Sequence, residues 1–454
     1  MRALTRPAPA SPLARAAPLA LAGVAGAAAY AALRRRGGSS TSAEPNRHTR
    51  LAQLNGTPAR RYYTGHNLKR AVAIEDLRAM AHERLPRFAL EYLEGGAEDE
   101  ASLMRERRAF AEWRFTPKTL VDVSHRSLAT TILGKPAAMP LIVAPTGLNG
   151  VFRNHADIDL ARGAAASGVP FVQSTMSNET MEDVGEVPGL RHWWQLYVFG
   201  GDEVWQELVA RADRAGCEAL VLTTNTQIFG NREWERRNEA TPSLLTISSV
   251  LDAACRPGWL ARTLATQGMP VFKNVIDFVP KDQRGFFASA MWIRDHQPTS
   301  MSWDIVGKIR QRWTKPFLLK GLLNLDDVRR AVDAGVDGVV LGSHGGRQLD
   351  WTVSALDLVG EARKIVGDRI ALHLTGGVRR GTDLLKALAL GADAVMAGRA
   401  PLYGVAAAGA AGVGRALEIL KSEAINAMGL LGAASLAELG PQFMMRLPES
   451  FVDS

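Results

Sequence analysis

The chain has 454 residues, of which 46% are hydrophobic and 22% are charged, a composition typical of a globular protein with a large core. Its net charge of +8 comes from residues 1–70, which hold twelve Lys and Arg and one acid (+11), whereas the other residues hold 42 basic and 45 acidic side chains (−3). This charge distribution argues against a nucleic-acid-binding face on the folded part. Cys217 and Cys255 have no partner at metal or CxxC spacing, so we predict reduced thiols and no metal site.

Residues 1–70 are interpreted as a basic, Ala-rich tail followed by a linker. The stretch 16–33 is apolar and uncharged and is followed by three arginines, Arg34, Arg35 and Arg36. It is at the short end for a membrane anchor, in which case the arginines would keep the folded body on the cytoplasmic side. An organelle-targeting peptide and a disordered extension remain alternatives. We therefore expect a cytoplasmic protein, with attachment to the inner face of a membrane or organelle targeting both left open.

The predicted folded body, residues 71–454, begins with three stretches of helical spacing, at 73–86, 87–96 and 100–113. Short apolar runs then alternate with amphipathic helical stretches, which indicates a parallel sheet covered by helices. Eight such runs predict an α/β fold, a closed TIM (β/α)8 barrel with an N-terminal helical extension. The runs are LIVAPTG (141–147), FVQST (171–175), HWWQLYV (192–198), ALVLTTN (219–225), FLLKG (317–321), GVVLGSH (338–344), IALHLTGG (370–377) and AVMAGR (394–399).

The spacing of these units is even except between the fourth and fifth runs, where about 90 residues take the place of one helix, which predicts a long insertion. The insertion contains PGWLARTLATQGMPVF and RGFFASAMWIRDH, which are apolar and aromatic with interspersed basic residues. We interpret it as a lid or a subunit contact, with a membrane-surface patch as the alternative.

Polar residues and glycines end nearly every run, and active sites of such barrels lie at these strand ends. His344 and Arg347 follow the sixth run and are expected at the barrel mouth. The turns TGGVRRGTD and AGRAPLYG follow the last two runs, and they predict a phosphate site at helix N-termini, assisted by Arg379 and Arg399. Tight turns without a ligand are the alternative. The ends of the other runs add Lys320, Gln195, Tyr197 and Thr223, which suit a broad polar heterocycle.

The motifs APTGLNG, QLYV, the lysine of LLKG, HGGRQLD and GGVRRGTD occur in this order, each at a strand end. Over residues 71–440 the chain resembles the FMN-dependent 2-hydroxy acid dehydrogenases and oxidases, the family of glycolate oxidase, flavin L-lactate dehydrogenase and mandelate dehydrogenase. The resemblance implies FMN as the cofactor, oxidation of an L-2-hydroxy acid to the 2-oxo acid, and a homo-oligomer, commonly a tetramer.

The resemblance also implies a role for each matching position. His344 matches the base that takes the substrate proton, and Lys320 matches the lysine beside the flavin N1–O2 edge. Substrate binding falls to two arginines that hold the carboxylate and to two tyrosines, namely Arg232, Arg347, Tyr92 and Tyr197. The isoalloxazine and phosphate positions are Pro145, Thr146, Gly147, Ser174, Gln195, Thr223, Thr375, Gly377, Arg379, Gly398 and Arg399.

Four positions refine this expectation. Family oxidases tend to have alanine where this chain has Gly147, which favours a dehydrogenase that passes electrons to a membrane quinone. Asn225 stands where the family has the aspartate that pairs with the catalytic histidine. We therefore predict that Asn225 orients His344 without adding charge, which leaves a weaker base and either slow turnover or a substrate with a more acidic α-hydrogen. Thr375 and Gly342 replace an aspartate and a serine, so weaker FMN binding is expected.

Two alternatives to this activity remain. FMN barrels that isomerise without net redox change would not need both Arg232 and Arg347. A repurposed or non-catalytic flavoprotein is the other alternative, and it would bind FMN that no hydroxy acid reduces.

Overall fold

The computed structural model describes residues 61–238, 246–264 and 268–447. The predictions for residues 1–60, including the apolar stretch 16–33, lie outside the described residues. Within the described ranges, no helix combines the length and the apolar character needed to cross a membrane. Cys217 and Cys255 are both free thiols, as predicted.

Residues 61–70, which the sequence assigned to a linker, pack against the folded body. The backbone N–H of Tyr63 donates to Asp76 Oδ1 at 2.7 Å, and Arg84 Nη2 donates to Gly65 O at 2.8 Å. These polar contacts tie the segment to the first helix. Three helices follow, as predicted: α1 (Ile74–Arg84), α2 (Arg87–Glu94) and α3 (Ala101–Glu112).

Short antiparallel strands accompany these helices. Strand β1 (Trp113–Phe115) directly follows α3, and a hairpin is formed by β2 (Thr130–Ile132) and β3 (Lys135–Ala137). Near the end of the chain, β12 (Met444–Arg446) pairs with β1. The pairing of β1 with β12 joins the N-terminal helical extension to the C-terminal segment.

The eight predicted runs form a closed barrel of parallel strands, which confirms the predicted fold. Each strand pairs with the next along the chain, and the last strand closes the barrel on the first, with Val395 opposite Leu141. The strands are β4 (Leu141–Val143), β5 (Phe171–Ser174), β6 (His192–Leu196), β7 (Ala219–Thr223), β8 (Phe317–Leu322), β9 (Gly338–Leu341), β10 (Ala371–Thr375) and β11 (Ala394–Ala397).

Alternation of side chains along the strands creates two cores. The inner core fills the barrel and includes Trp193, Leu318 and Met396, whereas the outer core lies between strands and helices. Ile132 and Ala137 of the β2–β3 hairpin belong to the inner core. The hairpin therefore covers the end of the barrel opposite the predicted mouth.

The remaining helices surround the barrel or lie in the insertion. The last one, α15, is long and is kinked at Ala408 and Gly409. The helices are α4 (Ala156–Ala166), α5 (Met181–Gly185), α6 (Asp202–Arg214), α7 (Glu233–Arg237), α8 (Ile247–Ala254), α9 (Pro257–Thr263), α10 (Phe286–Asp295), α11 (Asp304–Arg312), α12 (Leu325–Asp333), α13 (Ala355–Val366), α14 (Gly381–Ala389) and α15 (Arg399–Leu431).

The predicted insertion lies between β7 and β8, and buried polar contacts anchor it to the loop that follows β5. Asn274 is buried and its Nδ2 donates to Glu179 O at 2.8 Å, while Lys273 Nζ lies 2.6 Å from Glu179 Oε2. Asn178 Nδ2 donates to Val271 O at 3.0 Å. These contacts fix the base of the insertion, so that α10 lies over the mouth of the barrel.

Candidate active site

A cavity of about 590 Å³ opens at the carboxyl ends of the barrel strands, under α10. Most of the site residues predicted from the sequence line this cavity. Three do not: Gln195 and Thr223 are buried in the protein, and Asn225 is half-buried. The predicted residues that line it are Tyr92, Pro145, Thr146, Gly147, Ser174, Tyr197, Arg232, Lys320, His344, Arg347, Thr375, Gly377, Arg379, Gly398 and Arg399.

His344 lies three residues beyond the end of β9, in a turn of unusual backbone conformation. Its φ is +60°, and Gly345 and Gly346 continue with φ of +69° and +73°. A histidine in this left-handed region is uncommon, and such strain is typical of functional turns. The turn directs the imidazole into the cavity, where its Nε2 lies 3.5 Å from Tyr197 Oη.

The protonation state of His344 follows from its surroundings. Burial and then the positive charges of Lys320 and Arg232 hold the pKa of His344 well below its ordinary value of 6.5. The ring is therefore neutral at pH 7 and can accept a proton.

Asn225 donates to the backbone just after β9. Its Nδ2 donates to Gly342 O at 3.3 Å, and neither its Oδ1 nor His344 Nδ1 has a hydrogen-bond partner among the described residues. The side chain packs against Gly321, where an added Cβ would lie 2.6 Å from Oδ1. The amide thus supports the end of β9, and the ring nitrogen that it was expected to orient is left without a partner.

The two predicted carboxylate-binding arginines lie side by side. Arg347 Nη1 donates to Tyr92 O at 3.0 Å and to Gly95 O at 2.7 Å, and its guanidinium lies 4.9 Å from the centre of the Tyr92 ring. Arg232 Nε donates to Arg347 O at 3.1 Å. These contacts fix both guanidinium groups at one end of the cavity.

A buried carboxylate that the sequence analysis missed lies between these arginines. Glu235 forms an ion pair with Arg347 Nη2, and its Oε2 lies 3.7 Å from Arg232 Nη1. The side chain is 5% exposed and lines the cavity. The sequence contains one signal for this contact: Glu235 follows Arg232 by three residues, about one turn along a short helix.

Lys320 is an isolated buried cation on β8. Its side chain lines the cavity, and no carboxylate lies within salt-bridge distance in the described part of the chain. Burial lowers the pKa of Lys320 to about 8. A buried cation without an acidic partner is costly unless a ligand supplies negative charge.

The glycine-rich turn after β10 brings backbone close to the cavity. Gly376 and Gly377 have φ of +117° and +73°, and a Cβ on Gly377 would lie 2.1 Å from Glu106 O. Only glycine fits there. Arg379 and Arg399 line the cavity beside this turn, as predicted for a phosphate site.

Arg399 also has a structural role that the sequence did not reveal. Its Nε donates to Leu93 O at 3.0 Å, its Nη1 to Gly345 O at 3.0 Å and its Nη2 to Gly95 O at 2.9 Å. Burial lowers the pKa of Arg399 to about 10. Most of its donors therefore hold the end of α2 and the turn of His344, while its charge faces the cavity.

Glu106 is a second buried carboxylate that the sequence analysis missed. It accepts hydrogen bonds from Ser343 Oγ at 2.7 Å and from Ser354 Oγ at 3.0 Å, and Ser343 Oγ in turn accepts from Gly346 N–H at 2.9 Å. Burial raises the pKa of Glu106 to about 7. The carboxyl group supports the turn of His344 from below, and no sequence motif marked it.

The cavity fits FMN. Thr146 Oγ1, Gln195 Nε2 and Thr223 Oγ1 are buried and have no hydrogen-bond partner among the described residues. They match the polar edge of an isoalloxazine, Lys320 supplies a cation beside it, and the turn at Gly377 suits a phosphate. Thr375 does not add to this set, because its Oγ1 donates to Met396 O at 3.1 Å.

Comparison with known proteins agrees with this geometry. The profile of the FMN-dependent dehydrogenase family matches residues 81–446. The chain is 39% identical to (S)-mandelate dehydrogenase of Pseudomonas putida over 82% of its length and 93% of that protein. It is 37% identical to a putative L-lactate dehydrogenase of Mycobacterium tuberculosis over 83% of its length and 90% of that protein.

A solved structure of the monotopic membrane protein (S)-mandelate dehydrogenase is also similar, with a TM-score of 0.79 and 38% identity. The similarity covers 83% of this chain and 99% of that one. The chain therefore belongs to the FMN-dependent 2-hydroxy acid dehydrogenase and oxidase family. It is an oxidoreductase and binds FMN.

Proposed function

We propose that this enzyme oxidises an L-2-hydroxy acid with an apolar, aryl-type side chain to the 2-oxo acid, and that an acceptor other than oxygen receives the electrons. The observation that carries the proposal is the convergence of a neutral histidine and two arginines in one cavity beside the FMN site. A site for isomerisation alone would not need two guanidinium groups at one end.

The chemistry of each side chain indicates its role in substrate binding, proton transfer or charge stabilisation. Arg232 and Arg347 bind the substrate carboxylate, since a guanidinium fork matches its two oxygens. Tyr92 and Tyr197 donate to the substrate oxygens. His344 Nε2 accepts the proton from the α-carbon, or from the hydroxyl if hydride is transferred. FMN supplies the two-electron acceptor when bound, and Lys320 stabilises the negative charge that reduction places beside it.

The cavity wall supports an apolar substrate side chain. Its apolar lining includes Leu148, Phe152, Met176, Phe229, Phe272 and Met291. An aryl group beside the carbinol carbon would also make the α-hydrogen more acidic, which suits a base without a carboxylate partner. The similarity to (S)-mandelate dehydrogenase points in the same direction.

Peripheral attachment to a membrane is part of the proposal. Ile247 and Val250 of α8 are 81% and 62% exposed, and Ile228 and Trp234 of the same insertion are 72% and 44% exposed. Such an apolar surface suits a lipid interface, which would bring the site close to a quinone acceptor. Gly147 and the similarity to a monotopic membrane protein support the same reading. Flotation with anionic lipid vesicles should retain the protein, and the Ile247→Glu, Val250→Glu double variant should be lost from the vesicle fraction.

A homo-oligomer is proposed as well. Leu349 and Trp351, which follow the turn of His344, are 74% and 76% exposed, and large apolar side chains in this position suit a subunit contact. Light scattering of the detergent-solubilised protein should give a mass several times that of one chain.

The visible spectrum of the purified protein under anaerobic conditions tests the activity. We expect the flavin band to bleach on addition of L-mandelate, and to a smaller extent with L-lactate. Slow recovery in air and rapid recovery with a quinone would identify a dehydrogenase. A flavin band that no hydroxy acid bleaches would contradict the proposal and favour a non-catalytic flavoprotein.

A further inference from the structure

The carboxylate of Glu235 gives the substrate end of the cavity a defined charge. It is paired with Arg347 and lies 3.7 Å from Arg232 Nη1, at the position where the two arginines converge. Two guanidinium groups and one carboxylate leave one net positive charge. A substrate carrying one carboxylate neutralises that charge, whereas a substrate carrying two leaves an excess negative charge in a buried site.

The two arginines do not depend on Glu235 for their positions. Arg347 is also held by Tyr92 O and Gly95 O, and Arg232 by Arg347 O and by Gln348 Oε1 at 3.4 Å. These acceptors remain when the charge of Glu235 is removed. The effect of Glu235 on binding is therefore mainly electrostatic.

Other cations that line the cavity do not change the net charge of the group formed by Arg232, Arg347 and Glu235. Lys320, Arg379 and Arg399 lie on the side that we assign to the flavin and its phosphate. Arg236 and Arg294 line the rim but are exposed, so water and salt screen their charges. Arg294 is also paired with Asp295, with 2.9 Å between Nε and Oδ1.

We propose that Glu235 is a specificity-determining residue that restricts this enzyme to monoanionic 2-hydroxy acids and excludes 2-hydroxy diacids. The inference rests on the proposed function, since it assumes that Arg232 and Arg347 bind the substrate carboxylate. A second negative charge in the same buried region as Glu235, at an effective dielectric constant of ~20, is expected to lower affinity by about tenfold or more.

Binding of two small carboxylates measures this effect without catalysis. Acetate and malonate differ by one carboxylate, and their binding to the FMN-loaded enzyme is followed at pH 8 by the change in the flavin spectrum. We expect the wild-type protein to bind acetate more tightly than malonate. Tighter binding of malonate to the wild type would overturn the proposal without any variant.

The variant Glu235→Gln should lower the malonate-to-acetate ratio of dissociation constants by tenfold or more. Glu233→Gln is the matched control, because Glu233 is on the same helix but pairs with Arg237, with 2.5 Å between Oε2 and Nη2. The control should change the ratio by less than twofold. Glu235→Asp keeps the charge and should keep the wild-type preference.

Equal weakening of both ligands in Glu235→Gln would mean that Glu235 only positions the arginines, and would refute the specificity role. The kinetic counterpart compares L-lactate with L-malate, for which kcat/KM should shift toward malate in the variant. A wild-type flavin that neither hydroxy acid reduces would contradict the proposed function, while the acetate and malonate titrations would still decide the role of Glu235.

Discussion

Replacing Asn225 by aspartate tests whether the base lacks a charge that it could use. An opposite charge beside an ionisable group typically shifts its pKa by about 1–3 units, so a carboxylate at this position would stabilise the imidazolium by roughly 1–4 kcal/mol. The substitution also removes the donor to Gly342 O, at a cost of about 1 kcal/mol in stability. The pKa of His344 should therefore rise from its depressed value toward the ordinary one.

The assay is the rate of anaerobic flavin reduction by L-mandelate as a function of pH, measured by stopped flow. Because the pKa rises, the acid limb of the profile should move to higher pH in Asn225→Asp. At pH 8, where the base is unprotonated in both proteins, the rate should increase about tenfold or more.

Asn225→Ala is the control, since it removes the bond to Gly342 without adding charge, and it should leave the acid limb in place. If Asn225→Asp neither moves the acid limb nor raises the rate at pH 8, the missing carboxylate does not limit this enzyme. The reasoning on His344 would then be refuted.

Three further substitutions test other parts of the site. Burial raises the pKa of Glu106 from 4.5 to about 7, so ionisation of Glu106 destabilises the native state as pH rises through this window. Glu106→Gln removes this ionisation. The gain in stability of the variant over wild type should therefore be larger at pH 8 than at pH 5.5. The penalty is roughly 3 kcal/mol at high pH, and a difference in Tm that does not change with pH would contradict it. Gly377→Ala should lose FMN and lower Tm by several degrees, since the new Cβ would lie 2.1 Å from a backbone oxygen. Normal flavin content after purification would show that the turn can shift to accept a side chain. Lys320→Met should slow flavin reduction by about a hundredfold or more. Its Tm should stay the same or rise, since a buried cation is removed. An unchanged reduction rate would exclude a role of Lys320 in stabilising the negative charge of the reduced flavin.

Local sequence pattern was sufficient to predict the barrel. Each apolar run is short and continuous, as expected for a strand buried on both faces, and each ends in glycine or a polar residue. Once eight such strands close, the ends of distant runs must meet, so the pattern predicts His344, Arg347 and Lys320 in one cavity. The insertion was also predictable, because about 90 residues replaced one helix.

Only the tertiary structure revealed how charges are distributed around these residues. Glu106 carries no motif and Glu235 only its spacing from Arg232, and their roles follow mainly from burial against residues that are distant in sequence. The structure also shows that Asn225 Nδ2 donates to Gly342 O and that Arg399 donates to backbone carbonyls. Strand order follows from the hydrophobic pattern along the chain, whereas pKa values and hydrogen-bond partners depend on distances of a few ångströms that folding alone creates.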